Sequence, residues 1–399
     1  MTRILLRPAH LLLASILLGA VLAGCGTTPV PTAEATEPPT LVPPTATLRP
    51  TFTPSAVAQV TATAVPPSDT PPPTHTQEPT PTPPLYTPTP AATRAAGPPP
   101  KLSGKLLFPV FDRQRQMYDL YQLDLAAGTM ELFMEEASQP AVTHDGTRIA
   151  WRSWKQDQRG LLSRPFDSPE TWLMIDYNEA ARPSWSPDDR QFVFPSRQMP
   201  DRQSRIYLFT GASDPPWAEI RRNGSPILGR APVFMPDGRI VYQGCEGDAC
   251  GLYVMRADGT NPKQLTFSPS DTAPAISPDG TTIAYMSKAS GYWQVNVVNV
   301  ESLEGDTGQR HLTDDWYWNG LPVWSPDGKY IIFVSTRDEN WPDNFVLSEN
   351  STFRLWVMNA DGSGQRVLNE MTFRLDGVPA GAQAYETTGW VDERLDWRK

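Results

Sequence analysis

One phrase recurs five times along this chain. It reads PAVTHDG from Pro140, PSWSPDD from Pro183, PVFMPDG from Pro232, PAISPDG from Pro274 and PVWSPDG from Pro322. Its aspartates, Asp145, Asp188, Asp237, Asp279 and Asp327, are spaced by 43, 49, 42 and 48 residues. A period in that range restricts the chain to an array of similar supersecondary units, because one such unit cannot bury its own apolar face. Each phrase runs into an alternating β-rich segment: RIAWRS, QFVFPS, RIVYQG, TIAYMS and YIIFVS. Most units continue with a second run, such as RIYLF, GLYVM, WQVNVVNV and FRLWVM. Gly, Asp and Asn turns separate the runs and no helical periodicity of any length intervenes, so antiparallel hairpins are expected.

About 45 residues carrying four short strands is the signature of a propeller blade. The phrase resembles the W-S-P-D-G turn of the WD-repeat-like β-propellers of the TolB type, although WSPDG is intact only at Trp324 to Gly328. His144 replaces the proline in the first copy, Asp189 the glycine in the second and Met235 the serine in the third. The resemblance implies an all-β ring of four-stranded antiparallel blades over residues 101–399. A sixth unit comes from GKLLFPVF, YDLYQLDL and ELFMEE (residues 104–136), which read as the second, third and fourth strands of a blade lacking its opening phrase. GWVDERLDW at the C-terminus supplies that phrase, with Trp390 in the place of Trp324, so that the last strand closes six blades. Seven blades is the alternative, because the stretch after Asp327 is long.

The repeated aspartates precede a tight turn, where a carboxylate accepts nearby backbone amides, so their expected role is structural. No DxDxDG loop is present and no metal or cofactor is expected. Of four histidines only His144 and His311 fall beyond residue 100, and no GxSxG or HExxH motif accompanies them. The propeller is therefore expected to be non-catalytic, with a glycan lyase or hydrolase working in the central funnel as the alternative. Cys245 and Cys250, in GCEGDACG between two strand-like runs, are placed to bridge a hairpin, with a redox pair or free thiols as alternatives. The sharper candidates are aromatic. Trp316, Tyr317 and Trp318 in DDWYWNG, Trp341 in TRDENWPD, Trp154 and Trp293 lie in two loop classes that open on one face of an up-and-down blade ring. They are candidate ligand-face residues, against the alternative that such tryptophans pack between blades.

Composition sets the remaining boundary. Residues 26–100 hold 22 of the 44 prolines, 19 threonines and no tryptophan, too little apolar surface to offset chain entropy, so a disordered Pro/Thr-rich stalk is expected. At about 3.1 Å per residue a polyproline-like chain of that length could reach on the order of 200 Å. It serves as a spacer or as a polyproline ligand. Before it, Arg3 and Arg7 precede an apolar run from Leu11 to Ala23, which reads as an export signal over residues 1–24, with an uncleaved anchor as the alternative. Leu22-Ala23-Gly24-Cys25 resembles the bacterial lipobox, which implies that Cys25 is acylated and becomes the mature N-terminus. The formal charge of the whole chain is −10, and the segment beyond residue 100 is itself acidic, which argues against nucleic acid as a partner. The expected protein is a monomeric, lipid-anchored extracytoplasmic module that binds a protein or cell-wall glycan. A display module without a pocket is the third possibility.

Overall fold

The computed structural model describes residues 100–399 apart from 289–290, 302–307, 338–351, 370 and 376–388. The export signal, Cys25, the stalk and Trp341 lie outside the described residues.

Six four-stranded antiparallel sheets are present among the described residues. Blade 2 is the simplest: Ala137–Val142, Arg148–Ser153, Gly160–Pro165 and Trp172–Ile175, each strand paired to the next. Blades 3 to 6 repeat the order from inner strands Ser184–Trp185, Gly229–Phe234, Thr272–Ile276 and Asn319–Trp324. Blade 1 is composite. Lys105–Asp112, Met117–Asp124 and Thr129–Met134 form its outer three strands, and Asp396–Arg398 pairs with the first of them to become the inner strand. A separate two-stranded ribbon, Arg221–Arg222 with Ser225–Pro226, accounts for the long spacing between Asp188 and Asp237.

The core is divided as a ring demands. Six apolar clusters lie one at each junction between neighbouring blades, among them Leu107, Leu120, Ile149 and Trp151 between blades 1 and 2, and Val241, Leu252, Ile283 and Tyr285 between blades 4 and 5. The cluster between blades 6 and 1 holds Ile332 and Val334 together with Leu106, Phe108 and Trp397, so the ring closes at six. A tryptophan of the phrase ties neighbours together. Trp185 Nε1 donates to Ala141 O of the preceding blade at 3.0 Å, and Trp324 Nε1 to Ala275 O at 3.1 Å.

The phrase itself is a hydrogen-bonded turn. Asp279 Oδ1 accepts Ser277 Oγ at 2.6 Å and Thr281 N at 3.0 Å, while Ser277 Oγ accepts Thr282 N at 2.9 Å. Asp188 and Asp327 repeat the pattern, and Thr143 stands in for the serine beside Asp145. Asp237, with Met235 in the serine position, lacks the hydroxyl partner and accepts Arg239 N at 3.0 Å and Arg239 Nε at 2.7 Å. The next position has positive φ, +72° at Gly280 and Gly328, where glycine is strain-free. Asp189 takes that conformation too, at +58°. Its carboxylate accepts His144 N at 2.8 Å and Asp145 N at 3.1 Å, and lies 2.7 Å from His144 Nδ1. The two departures from the phrase thus meet across the blade 2 and 3 boundary.

At the other end of each phrase, the residue before the proline is left-handed in all five copies: Gln139 (+55°), Arg182 (+44°), Ala231 (+47°), Ala273 (+49°) and Leu321 (+48°). Proline has no amide to give to the ladder. In blades 2, 4, 5 and 6 the pairing of the inner strand accordingly shifts register at this point, forming a bulge.

One expectation is corrected. Trp390 is not the counterpart of Trp324. It sits in a 3-10 turn, Gly389–Asp392, ahead of the closing strand, and is wholly buried against Trp293, Trp318 and Phe353. Gly320 makes room for it, since a Cβ there would lie 2.9 Å from the Trp390 ring. A bulky indole needs a closed apolar pocket, and the C-terminal turn provides one before the strand begins.

Candidate functional site

Two regions of the ring gather chemistry, one on each face. The first is the loop face, formed by connections between the second and third strands of a blade and from one blade to the next. Four large apolar side chains are exposed there along consecutive junctions: Met199 in blade 3, Leu228 before blade 4, Phe267 (63% exposed) before blade 5 and Trp316 (42%) before blade 6. Trp316 stands edge-on to Tyr292 at 5.6 Å between ring centres.

The other aromatic candidates are placed differently. Trp318 and Trp293 are buried against Trp390, which corrects their assignment to an open ligand face. Lys288 Nζ lies 5.6 Å from the Trp318 ring centre. Tyr317 is partly buried and packs against the same cluster. Trp154 is partly buried, with its Nε1 donating to Ser138 Oγ at 2.9 Å and the Arg152 guanidinium 4.5 Å from its ring centre. The burial has a cause within DDWYWNG. Arg337 Nε donates to Asn319 Oδ1 at 3.1 Å and lies 2.8 Å from Asp315 Oδ2 in a buried ion pair, and Arg337 Nη1 donates to Gln365 Oε1 at 2.7 Å. Asn319 Nδ2 donates to Asp315 Oδ1 at 2.8 Å and Gln294 Nε2 to Asp315 O at 2.8 Å. Burial pulls the Arg337 guanidinium down while Asp315 opposes it. This network anchors blade 6 to blade 5 and draws Trp318 inward, leaving Trp316 at the apex of the loop. Cys245 and Cys250, in a hairpin on this face, are bonded, with a Cα separation of 4.1 Å.

The second region is the central funnel, a cavity of about 710 Å³ that opens on the phrase-turn face between Pro187, Pro236, Pro278 and Pro326. Its other end is occupied by the 389–392 turn. Gln139 Nε2 donates to Asp392 O at 2.9 Å and Arg182 Nη1 to Val391 O at 3.1 Å, from the left-handed positions before the phrase prolines of blades 2 and 3. On the far side the turn packs against blades 5 and 6 through Trp390 and the inner strand of blade 5. Arg182, Glu393, Arg394 and Asp396 line the funnel. Arg394 Nη1 donates to Pro183 O at 2.7 Å, next to Arg182 in the chain, and its charge is close enough to repel that of Arg182. Burial, followed by repulsion from Arg394, takes Arg182 down to about 10. Burial pushes the Glu393 carboxyl up to about 7, against the pull of Arg152. It also raises Asp396, whose Oδ2 accepts Val142 N at 2.9 Å. No group of three or more histidine, cysteine or acidic side chains able to hold a metal occurs among the described residues.

Sequence inspection missed this polar floor. Its one visible signal was the position before each phrase proline, which carries Gln139 and Arg182 in adjacent repeats and small or apolar residues in the other three.

Comparison with known proteins agrees with the blade geometry. Residues 221–350 match the family described as the TolB beta propeller domain. The Tol-Pal system protein TolB of Anaeromyxobacter sp. (strain K) is 34% identical over 129 residues, covering 32% of this chain and 27% of that protein. An uncharacterized protein of Agrobacterium fabrum (strain C58) is 23% identical over 194 residues, covering 48% of this chain and 58% of its own length. The matches therefore span little more than half of these curated relatives or less. The crystal structure of TolB from Acinetobacter baumannii superposes with a TM-score of 0.55 at 18% identity, over 69% of this chain and 66% of that one. The fold defines a six-bladed β-propeller. It is a TolB-like one.

Proposed function

We propose that this chain is a lipid-anchored extracytoplasmic protein whose non-catalytic propeller binds a protein or cell-envelope glycan through its loop face. The observation that carries the reading is the arc of Met199, Leu228, Phe267 and Trp316 on that face. Exposed apolar side chains gathered on one face of a fold mark an interaction surface, and the buried network beneath Trp316 fixes that side chain's loop at little entropic cost. Similarity to TolB, a Tol-Pal system protein by its name, supports a protein partner in the envelope. The anchor rests on the lipobox at Cys25 and the reach on the Pro/Thr stalk.

Crosslinking on intact cells tests the whole reading. The wild-type chain should capture a discrete partner from the membrane fraction. Phe267→Ala with Trp316→Ala should lose roughly tenfold or more of that capture, as for removal of central aromatic anchors, with an unchanged melting curve. Cys25→Ser should move the protein out of the membrane fraction. Undiminished capture by the double variant would refute the loop face.

The competing reading is a glycan lyase or hydrolase acting in the funnel. It draws on Glu393 and Asp396 lining the same cavity as Arg182 and Arg394, a pairing of carboxylates with cations that glycan cleavage can use. Turnover of uronate-containing glycans that disappears in Glu393→Gln would favour it.

A further inference from the structure

The geometry points to a second binding site, independent of the loop face: the funnel holds the free carboxyl terminus of a short peptide, with Arg182 and Arg394 on its carboxylate. Three features of the cavity lead there.

The first is the donor set. Arg182 is 5% exposed and, among the described residues, its guanidinium uses only Nη1, on Val391 O. Among the same residues the Arg394 guanidinium uses only Nη1, on Pro183 O. Neither guanidinium forms an ion pair within the described residues, although Asp396 and Glu393 are near. Two adjacent cations, each with N–H groups left over, in a cavity that removes water, suit a planar carboxylate that can take hydrogen bonds from both. Their mutual repulsion, felt at Arg182, is relieved when an anion enters between them.

The second is shape. The 389–392 turn blocks the far end of the cavity, so a ligand entering between the four rim prolines meets a floor and cannot thread through. A blind funnel selects a chain end over an internal segment. Its volume, about 710 Å³, is that of an ordinary small-ligand pocket.

The third is the wall. The wall includes an apolar stretch, Val233, Phe234, Ala273, Leu321 and Val323, and its hydroxyls are already committed, those of Thr143, Ser277 and Ser325 to Asp145, Asp279 and Asp327 and that of Ser184 to Phe234 N, while His144 and Lys399 add polar groups. Sugar hydroxyls would go unpaired against the apolar stretch, whereas small apolar side chains would bury there. Asp396 Oδ1, which has no hydrogen-bond partner among the described residues, can accept a peptide amide near the terminus.

The test uses the full chain and acetyl-tetra-alanine with a free carboxyl terminus, titrated by calorimetry or ligand-observed NMR. Saturable binding is expected, weakened roughly tenfold or more in the C-terminal amide of the same peptide and to a similar degree by Arg394→Gln, because a charge-assisted contact is lost. Arg190→Gln removes an exposed positive charge from the same face and should leave binding intact. The acid and amide comparison needs no variant, so it stands even if Arg394→Gln lowers the melting temperature. Equal affinity for acid and amide, equal loss in Arg190→Gln, no binding of the peptide, or tighter binding of a galacturonate oligomer would each overturn the assignment. Because the loop arc lies on the opposite face, failure here leaves the proposed function standing, and loss of partner capture there leaves this site standing.

Discussion

At the scale of single residues, the aspartates of the repeated phrase serve the turns. Asp145, Asp188, Asp279 and Asp327 are held below the usual carboxylate range by the hydroxyl and amide groups they cap, which is the physical content of the repeated phrase. Glu393 is the exception. It is buried, and among the described residues its Oε2 has no hydrogen-bond partner and its Oε1 accepts a 3.4 Å contact from Gln139 Nε2 beside its interaction with Ser138. The charged groups around it are Arg152, Arg182 and Asp392, and burial outweighs them. Its folded pKa of about 7 stands above its ordinary value of 4.5, so the folded state binds the proton more tightly. The associated stability is present below pH ~4.5 and is lost as pH rises to about 7, by on the order of 3 kcal/mol. Glu393→Gln mimics the protonated form. Its melting temperature at pH 8 should therefore exceed that of the wild type, and the difference should shrink towards pH 5; a difference independent of pH would show that Glu393 does not titrate in this range.

The element that repeats is a bulged inner strand followed by a capped turn. Both halves follow from the phrase proline and the Ser-Pro-Asp-Gly run, which is why the blades were legible in the sequence. The bulge was not, because a left-handed Ala273 or Leu321 carries no side-chain signature; only five copies in register, seen with their φ angles, reveal it. The hairpin of blade 4 adds a covalent element. Cys245 and Cys250 face each other across Ile240–Glu246 and Ala249–Met255 and close a short loop. Chain-entropy arithmetic gives about 2 kcal/mol for a loop of that size. Cys245→Ser with Cys250→Ser should lower stability by about that amount in denaturant titrations, without loss of the loop-face partner. A far larger loss would mean that the bond restrains more than its own hairpin.

For the whole molecule, the decisive contact is the one that closes the ring. Lys105, Leu106 and Leu107 pair with Arg398, Trp397 and Asp396, joining the two ends of the described ring. The same segment supplies Trp390 to the core and Glu393 and Arg394 to the funnel. Removing residues 388–399 should open blade 1, expose the Leu106 and Phe108 side of its sheet and broaden the unfolding transition, because an open sheet edge has lost its partner. A melting curve of unchanged midpoint and width would show that closure is dispensable.

The sequence by itself determined the blades and the closing role of the C-terminus, while the closed junction between blades 6 and 1 decided for six over seven. Period, turn chemistry and alternation are local, and each is repeated often enough to be read without coordinates. Tertiary structure alone decided which aromatics face solvent. Trp316 and Trp318 are two residues apart in one loop, and the buried Asp315, Asn319 and Arg337 network turns one out and the other in. It alone also assembled the funnel floor, because Gln139, Arg182, Glu393 and Arg394 come from positions as much as 255 residues apart and converge only when the ring closes on its axis.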